Sequence, residues 1–145
     1  MEKAKRNLKE ISIVLLILVG LSLVRMIVEV ALGGLMVQEL PEGVTEELMQ
    51  AALIIVFVIG LLILLPQIYV GIKGIKESKK PTSSRAHIVW AKIIFVLSII
   101  ALISPISSLI QGADIVDNVL TLVDILLDVV LYFLFIKYAN KVSGK

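Results

Sequence analysis

Four apolar stretches, each long enough to cross a lipid bilayer, constrain the fold of this 145-residue chain more than any motif. They cover residues 11–37, 48–75, 88–110 and 115–136. A helix needs about 20 predominantly apolar residues to cross a hydrocarbon core of about 30 Å. Hydrophobic residues make up 59% of the chain, against about 45 to 50% in soluble domains. The sequence therefore predicts an all-α integral membrane protein, a single domain over residues 1–145 in which four transmembrane helices form an up-down bundle.

The charges are divided between alternate loops. Basic side chains lie before the first stretch, between the second and the third, and after the fourth, whereas acidic side chains lie in the other two loops. Because basic flanks stay on the cytoplasmic side of a membrane, we expect both termini and residues 77–85 to be cytoplasmic, in a bacterial cytoplasmic membrane. The first stretch is longer than the roughly 7 to 15 apolar residues of a secretory signal, so we expect it to remain as a span.

Local signals mark several helix ends and irregularities. Thr45 and Asp114 are placed to cap the second and fourth helices, since their side-chain oxygens accept from free backbone N–H groups. The hydroxyl residues 82–84 are candidates to cap the third helix. Pro66 predicts a kink inside the second helix, and Pro105 lies in a polar segment where the third helix is easily broken.

A polar stripe runs along the fourth stretch. At about 100° per residue its members fall within an arc of about 80°, and we call them the acidic stripe: Asp114, Asp117, Thr121, Asp124 and Asp128. The first two aspartates are explained as residues of a helix N-terminus. Asp124 and Asp128 lie within the span, where an aspartate costs about 2.5 to 3.5 kcal/mol and normally has a partner. Three roles stay open for them: interhelical hydrogen bonding, handling of a cation or proton, and recognition of a partner subunit.

The first stretch carries a matching polar face. Ser22, Arg25, Glu29 and Gly33 share an arc of about 80° by the same helical geometry. Arg25 and Glu29 can pair because they are four residues apart. Arg25 and Asp124 lie at similar depths, so we predict an interhelical ion pair between them; the alternative is that Glu29 alone satisfies Arg25.

The intramembrane charges do not balance. We expect Lys92 to extend its ammonium group to the membrane surface, but even with Lys92 counted, the carboxylates exceed the basic groups by one. The surplus carboxylate is protonated, or is neutralised by a cation or by a basic group of a partner. We therefore regard four residues as candidates for an ion or proton site: Asp124, Asp128, Glu29 and Arg25. Three more are candidates to line a cavity: Gln67, Thr121 and Tyr132.

Several functional classes are excluded by composition and motif. The chain has no cysteine and one histidine, His87, which we expect to be a solvated residue at a span boundary, so we expect no metal site and no cofactor. Catalytic motifs and nucleic-acid reading elements are absent from the sequence, so we expect neither an enzyme nor a nucleic-acid partner. The sequence favours a homo-oligomeric channel or carrier for a cation or proton in the lipid bilayer. The alternative is a non-catalytic accessory, immunity or assembly subunit that docks to a larger membrane complex.

Overall fold

The computed structural model describes residues 1–36 and 42–143, with the backbone alone for residues 33–36. Its described residues form helices and turns without a strand. The helices are α1 (Glu2–Met36), α2 (Glu46–Lys79), α3 (Ala86–Ala101), α4 (Ile103–Ile110) and α5 (Ile115–Val142). With α3 and α4 taken together, four helices are long and apolar enough to cross a membrane. The all-α prediction with four membrane-length helices is confirmed.

All four membrane-length helices extend beyond the apolar stretches that predicted them. At one end α1 begins at Glu2, and α5 continues to Val142. The added N-terminal segment of α1 carries charged pairs on its surface, such as Arg6 Nε and Glu10 Oε1 at 3.9 Å. It also buries Leu8 completely. These segments are helical because one face packs on the bundle while the other stays solvated.

Two of the predicted caps form and one does not. The Thr45 hydroxyl accepts from the Leu48 backbone N–H at 3.2 Å, and Asp114 caps α5 by accepting from the backbone N–H of Val116 at 3.1 Å. At the start of α3 the N-cap is Arg85, without a side-chain hydrogen bond. The expected capping by residues 82–84 is wrong, because Thr82 bonds to the preceding helix instead.

The two intrahelical prolines differ in effect. The third span is interrupted at Leu102, whose N–H donates to the Ile99 carbonyl at 3.2 Å in a tighter turn than the α-helix. Pro105 lies in the first turn of α4 and has no N–H to continue the ladder of α3. Helix α2, by contrast, continues through Pro66 to Lys79.

Glycines with positive φ shape both loops at one end of the bundle. Gly43 has φ +83° and Gly112 has φ +76°, a region that side chains with a Cβ rarely adopt. After α4 the Gly112 N–H donates to the Leu109 carbonyl at 3.2 Å, and the Ala113 N–H donates to Ser108 at 3.0 Å. These two nested hydrogen bonds form the Schellman motif, so the chain turns sharply into α5.

The helices pack in a ring, with α1 against α2, α2 against α3, α3 against α5, and α5 against α1. Helices α1 and α2 run antiparallel and approach closely where α2 lacks a side chain. Three glycines of α2 face side chains of α1: Gly60 faces Met26, Gly71 faces Leu16, and Gly74 faces Ser12. Small residues allow such close helix contact in membranes.

The buried core lies at one end of the ring. It joins residues from the N-terminal parts of α1 and α3 to residues from the C-terminal parts of α2 and α5: Leu8, Leu15, Val70, Ile88, Ala91, Ile94, Tyr132, Phe135, Ala139 and Val142. We call this the basic end, because the N-terminus, residues 80–85 and the C-terminal turns meet there. The opposite, acidic end holds residues 42–45 and 111–114.

Candidate functional site: a polar pocket between α1 and α5

An open cavity of about 240 Å³ separates α1 from α5 on the acidic side of the core. It combines apolar walls with three charged groups from two helices. Its lining residues are Leu18, Leu21, Ser22 and Arg25 of α1, and Asp124, Leu127 and Asp128 of α5. We call it the α1–α5 pocket. The periodicity of the two polar faces predicted that they would meet, and the fold places them together.

Arg25 is held within its own helix. Its Nε donates to Glu29 Oε1 at 2.8 Å, and the two side chains are 72% and 61% exposed. Among the described residues, this is the ion pair that Arg25 forms, and the predicted interhelical pair with Asp124 does not form. The reason is local geometry: residues four apart on a helix meet without moving either backbone, whereas Asp124 must be reached across the open pocket.

Neither pocket aspartate is compensated. Asp124 is exposed and Asp128 is half-buried, and within the described part of the chain neither carboxylate forms an ion pair or a side-chain hydrogen bond. Lys92 is exposed on α3 and does not line the pocket. Because Glu29 already neutralises Arg25, the pocket holds two carboxylates without a fixed countercharge.

Glu29 belongs to a neighbouring cavity rather than to the pocket itself. That cavity, of about 120 Å³, lies between α1 and α2, and its other lining residues are apolar. Glu29 therefore acts on the α1–α5 pocket through Arg25. Of the four candidate site residues, the fold brings Arg25, Asp124 and Asp128 together and leaves Glu29 beside them.

The three cavity-lining candidates lie in different places. Gln67 lines a groove of about 480 Å³ between α2 and α3, together with Pro66, Trp90 and Ser98. Thr121 is exposed and donates its hydroxyl to the Asp117 carbonyl at 2.9 Å. Tyr132 lies in the core, not in an open cavity, and is 1% exposed.

A second polar cluster lies inside the basic end. Glu77 is 2% exposed, and its two carboxylate oxygens accept from the Thr82 backbone N–H at 2.7 Å and from the Thr82 hydroxyl at 2.5 Å. Lys73 Nζ lies 3.6 Å from Glu77 Oε1. These contacts stabilise an ionised carboxylate and tie the loop after α2 to that helix.

His87 belongs to this basic-end cluster. Its expected solvation is wrong, because it is 1% exposed. Its ring meets Phe135 edge to face, with centroids 6.2 Å apart and planes at 88°. The sequence places His87 one residue before the third apolar stretch, where burial depends on the packing of other helices. In the sequence, close packing around His87 was indicated only by Gly71 and Gly74, which lie three residues apart and therefore on one face of α2.

Comparison of the chain with protein-family models, with curated proteins and with solved structures gives no match. The fold and the site therefore define its class by themselves. In its described residues the chain has four apolar helical segments of membrane length, with an acidic pocket between the first and the last of them.

Proposed function

We propose that the protein is a small polytopic membrane protein that acts as a channel or carrier for protons or cations, with the α1–α5 pocket as its binding site. Both termini and the α2–α3 loop face the cytoplasm in this proposal, because the basic residues gather at that end. The acidic end then faces outward.

One observation carries the proposal: Asp124 and Asp128 share an open pocket while Arg25 is already neutralised by Glu29. In a helix-lined membrane site, unpaired carboxylates are expensive and typically mark ion pathways or proton relays. A proton or a cation bound between the two aspartates would relieve that charge.

Membrane topology is tested first. The chain contains no cysteine, so a single introduced cysteine supplies the sole thiol for labelling. Glu42→Cys and Ser83→Cys lie in loops at opposite ends of the bundle, and we expect membrane-impermeant reagents to label them from opposite sides of sealed vesicles. Labelling of both from one side would contradict the four-span topology.

Transport is tested with purified protein in phosphatidylcholine vesicles that contain a pH dye or a cation-sensitive dye. We expect the wild type to increase proton or cation flux above that of protein-free vesicles. Asp128→Asn keeps size and hydrogen bonding but cannot ionise, so we expect it to abolish the flux. Asp117→Asn is the matched control, because Asp117 lies on the same stripe but outside the pocket. An inactive wild type, or an active Asp128→Asn variant, would refute transport at this site.

A second candidate function rests on the exposure of the charged groups. Arg25 and Glu29 are 72% and 61% exposed on the surface of one chain, and lipid alone would not solvate them. Another protein could cover this face, which favours an accessory subunit that docks through α1 and α5. Mass measurement in mild detergent separates the two: a homo-oligomer supports transport, whereas a stoichiometric foreign membrane protein on this face supports docking.

A further inference from the structure

We propose that Tyr132 and His87 connect the α1–α5 pocket to Glu77 at the basic end, and that the species the protein carries is the proton. This inference rests on the proposed transport function and names its substrate. It also assigns a path through the half of the bundle that holds the buried core.

The first observation is a pair of orphaned atoms. Among the described residues, the buried side-chain atoms without a hydrogen-bond partner are the Tyr132 hydroxyl and His87 Nδ1. Both side chains are 1% exposed. Leaving a buried polar group unpaired is costly, and native exceptions commonly mark a bound water or a functional role.

The second observation is the order of these groups along the bundle. Tyr132 follows Asp128 by one helical turn of α5, about 6 Å along the axis. Phe135 comes next on the same face and packs against the His87 ring, with centroids 6.2 Å apart. His87 in turn lies in the first turn of α3 and is within electrostatic range of the buried Glu77 of α2. Asp128, Tyr132 and His87 therefore follow one another from the pocket toward the basic end, with the Phe135 ring against His87.

The surroundings of the two orphaned atoms contain few other charges. Among the described residues, Asp128 is the charged group that acts electrostatically on Tyr132, and Glu77 and Lys73 of α2 act on His87. On α1, the buried Ser12 lies at the same level of the bundle as Gly74 and Phe135, and its hydroxyl donates to the Leu8 carbonyl at 2.7 Å. A mobile proton at His87 therefore meets one carboxylate acceptor, which is Glu77.

The chemistry of the side chains favours a proton over a metal ion. Carboxyl, phenol and imidazole groups each donate and accept protons, and chains of such groups form proton relays in membrane proteins. Tyr132, Phe135 and His87 are among the largest fully buried side chains. A hydrated cation would have to shed its water to pass between them, whereas a proton needs only a continuous hydrogen-bonded chain.

Over one full transfer cycle, each side chain returns to the protonation state from which it started. The Asp128 carboxyl gives a proton to the Tyr132 oxygen as the phenol releases its own proton to a bridging water, so Tyr132 stays neutral. That water passes a proton to His87 Nδ1, and the imidazolium releases a proton from Nε2 toward Glu77 or the aqueous phase. The path is reset when the imidazole returns to its first tautomer and the Asp128 carboxylate takes up a new proton from the pocket side.

The experiment compares conservative variants in pH-dye-loaded phosphatidylcholine vesicles under an imposed pH gradient. Tyr132→Phe removes the hydroxyl and keeps the ring, and His87→Asn keeps a hydrogen-bonding group near Nδ1 that cannot carry a proton. We expect each to lower the proton flux by about tenfold or more, as for loss of a proton-transferring group. Tyr69→Phe is the matched control, because Tyr69 is 38% exposed on α2, and its flux should equal that of the wild type.

Two further measurements distinguish a proton path from loss of structure. Melting temperature and detergent particle size identify variants that fail to fold, and His87→Gln replaces His87→Asn if the latter does. Wild-type flux should also fall when heavy water replaces water, which a purely structural role for these residues does not predict.

The outcomes separate this inference from the proposed function. If Asp128→Asn blocks proton flux while folded Tyr132→Phe and His87 variants conduct normally, the path is wrong and transport at the pocket stands. If the wild type passes sodium or potassium ions but no protons, the substrate assignment is wrong and the transport proposal again stands. If the wild type passes none of these ions, both fail.

Discussion

The two halves of the bundle differ in how they are packed. At the basic end, α1, α3 and α5 bury Leu8, Ile88 and Phe135 to 3% exposure or less. At the acidic end the same helices leave charged and apolar side chains open, and Arg25 retains 72% exposure. The described acidic-end segments of α1 and α5 contribute no residue to the core cluster. Stability is therefore concentrated in one half of the molecule, and the candidate ligand site in the other.

The contrast has a simple cause in the sequence. Two of the three glycines of α2 that allow close approach, Gly71 and Gly74, lie near the basic end and admit Leu16, Ser12 and Phe135 into contact. The acidic half of α5 instead carries aspartates on the face that meets α1. Burying two carboxylates against α1 would require a basic partner, because an unpaired buried charge is costly. Arg25 of α1 is already paired with Glu29. The pocket stays open as a consequence.

The largest effect is expected from filling the closest helix contact. Gly74→Leu places side-chain atoms where Ser12 and Phe135 already lie. Overpacking of a tight core costs about 1 to 3 kcal/mol or more, so we expect a clear loss of thermal stability in detergent. The matched variant is Gly20→Leu, since a Cβ at Gly20 meets nothing within 4 Å. Equal melting temperatures for the two variants would show that the basic end is not the tighter half.

A smaller effect is expected from the loop that closes the basic end. Thr82→Val removes the hydroxyl bond to Glu77 and keeps the side-chain shape, while the backbone N–H bond remains. A hydrogen bond to a charged group contributes about 1.5 kcal/mol or more when one partner is buried. We expect a loss of that size in the free energy of unfolding, measured by denaturant titration. Ser83→Ala is the control, because Ser83 is exposed in the same loop, and a loss as large as that of Thr82→Val would contradict the assignment.

The sequence predicted the elements better than their packing. Span number, the Thr45 and Asp114 caps and the break beside Pro105 follow from apolar length, side-chain hydrogen bonding and a missing N–H, all of which are local. The burial of His87 and the Thr82 to Glu77 bonds were not predicted, because each depends on how α2, α3 and α5 come together. Gly71 and Gly74 carried that information, but two glycines three residues apart do not specify which helix approaches them.

The candidate site was predicted in composition and not in its internal pairing. Helical periodicity placed Asp124 and Asp128 on one face of the fourth span and Arg25 on a polar face of the first span. The fold brings these two faces together at one pocket. Matching depth then favoured an Arg25 to Asp124 pair, whereas the structure pairs Arg25 with Glu29. The sequence indicates how deep each residue lies in the membrane. It does not indicate the lateral distance between α1 and α5, which is set by core packing at the other end.

The smallest expected effect concerns this pairing and sharpens the contrast between the two halves. A double-mutant cycle with Arg25→Gln and Glu29→Gln should give a coupling of about 0.5 kcal/mol, the size found for pairs four residues apart on a helix and for polar pairs between membrane helices. The cycle with Arg25→Gln and Asp124→Asn should give a smaller coupling, because the pocket separates these side chains. Arg6 and Glu10 are the matched control, four residues apart on α1 at 3.9 Å with 69% and 66% exposure. Their position beyond the apolar stretch predicts the weakest coupling of the three, since water screens exposed charges. A coupling of Arg25 to Asp124 that exceeds its coupling to Glu29 would mean that α1 and α5 close on each other, and the acidic end would then be a packed interface like the basic one.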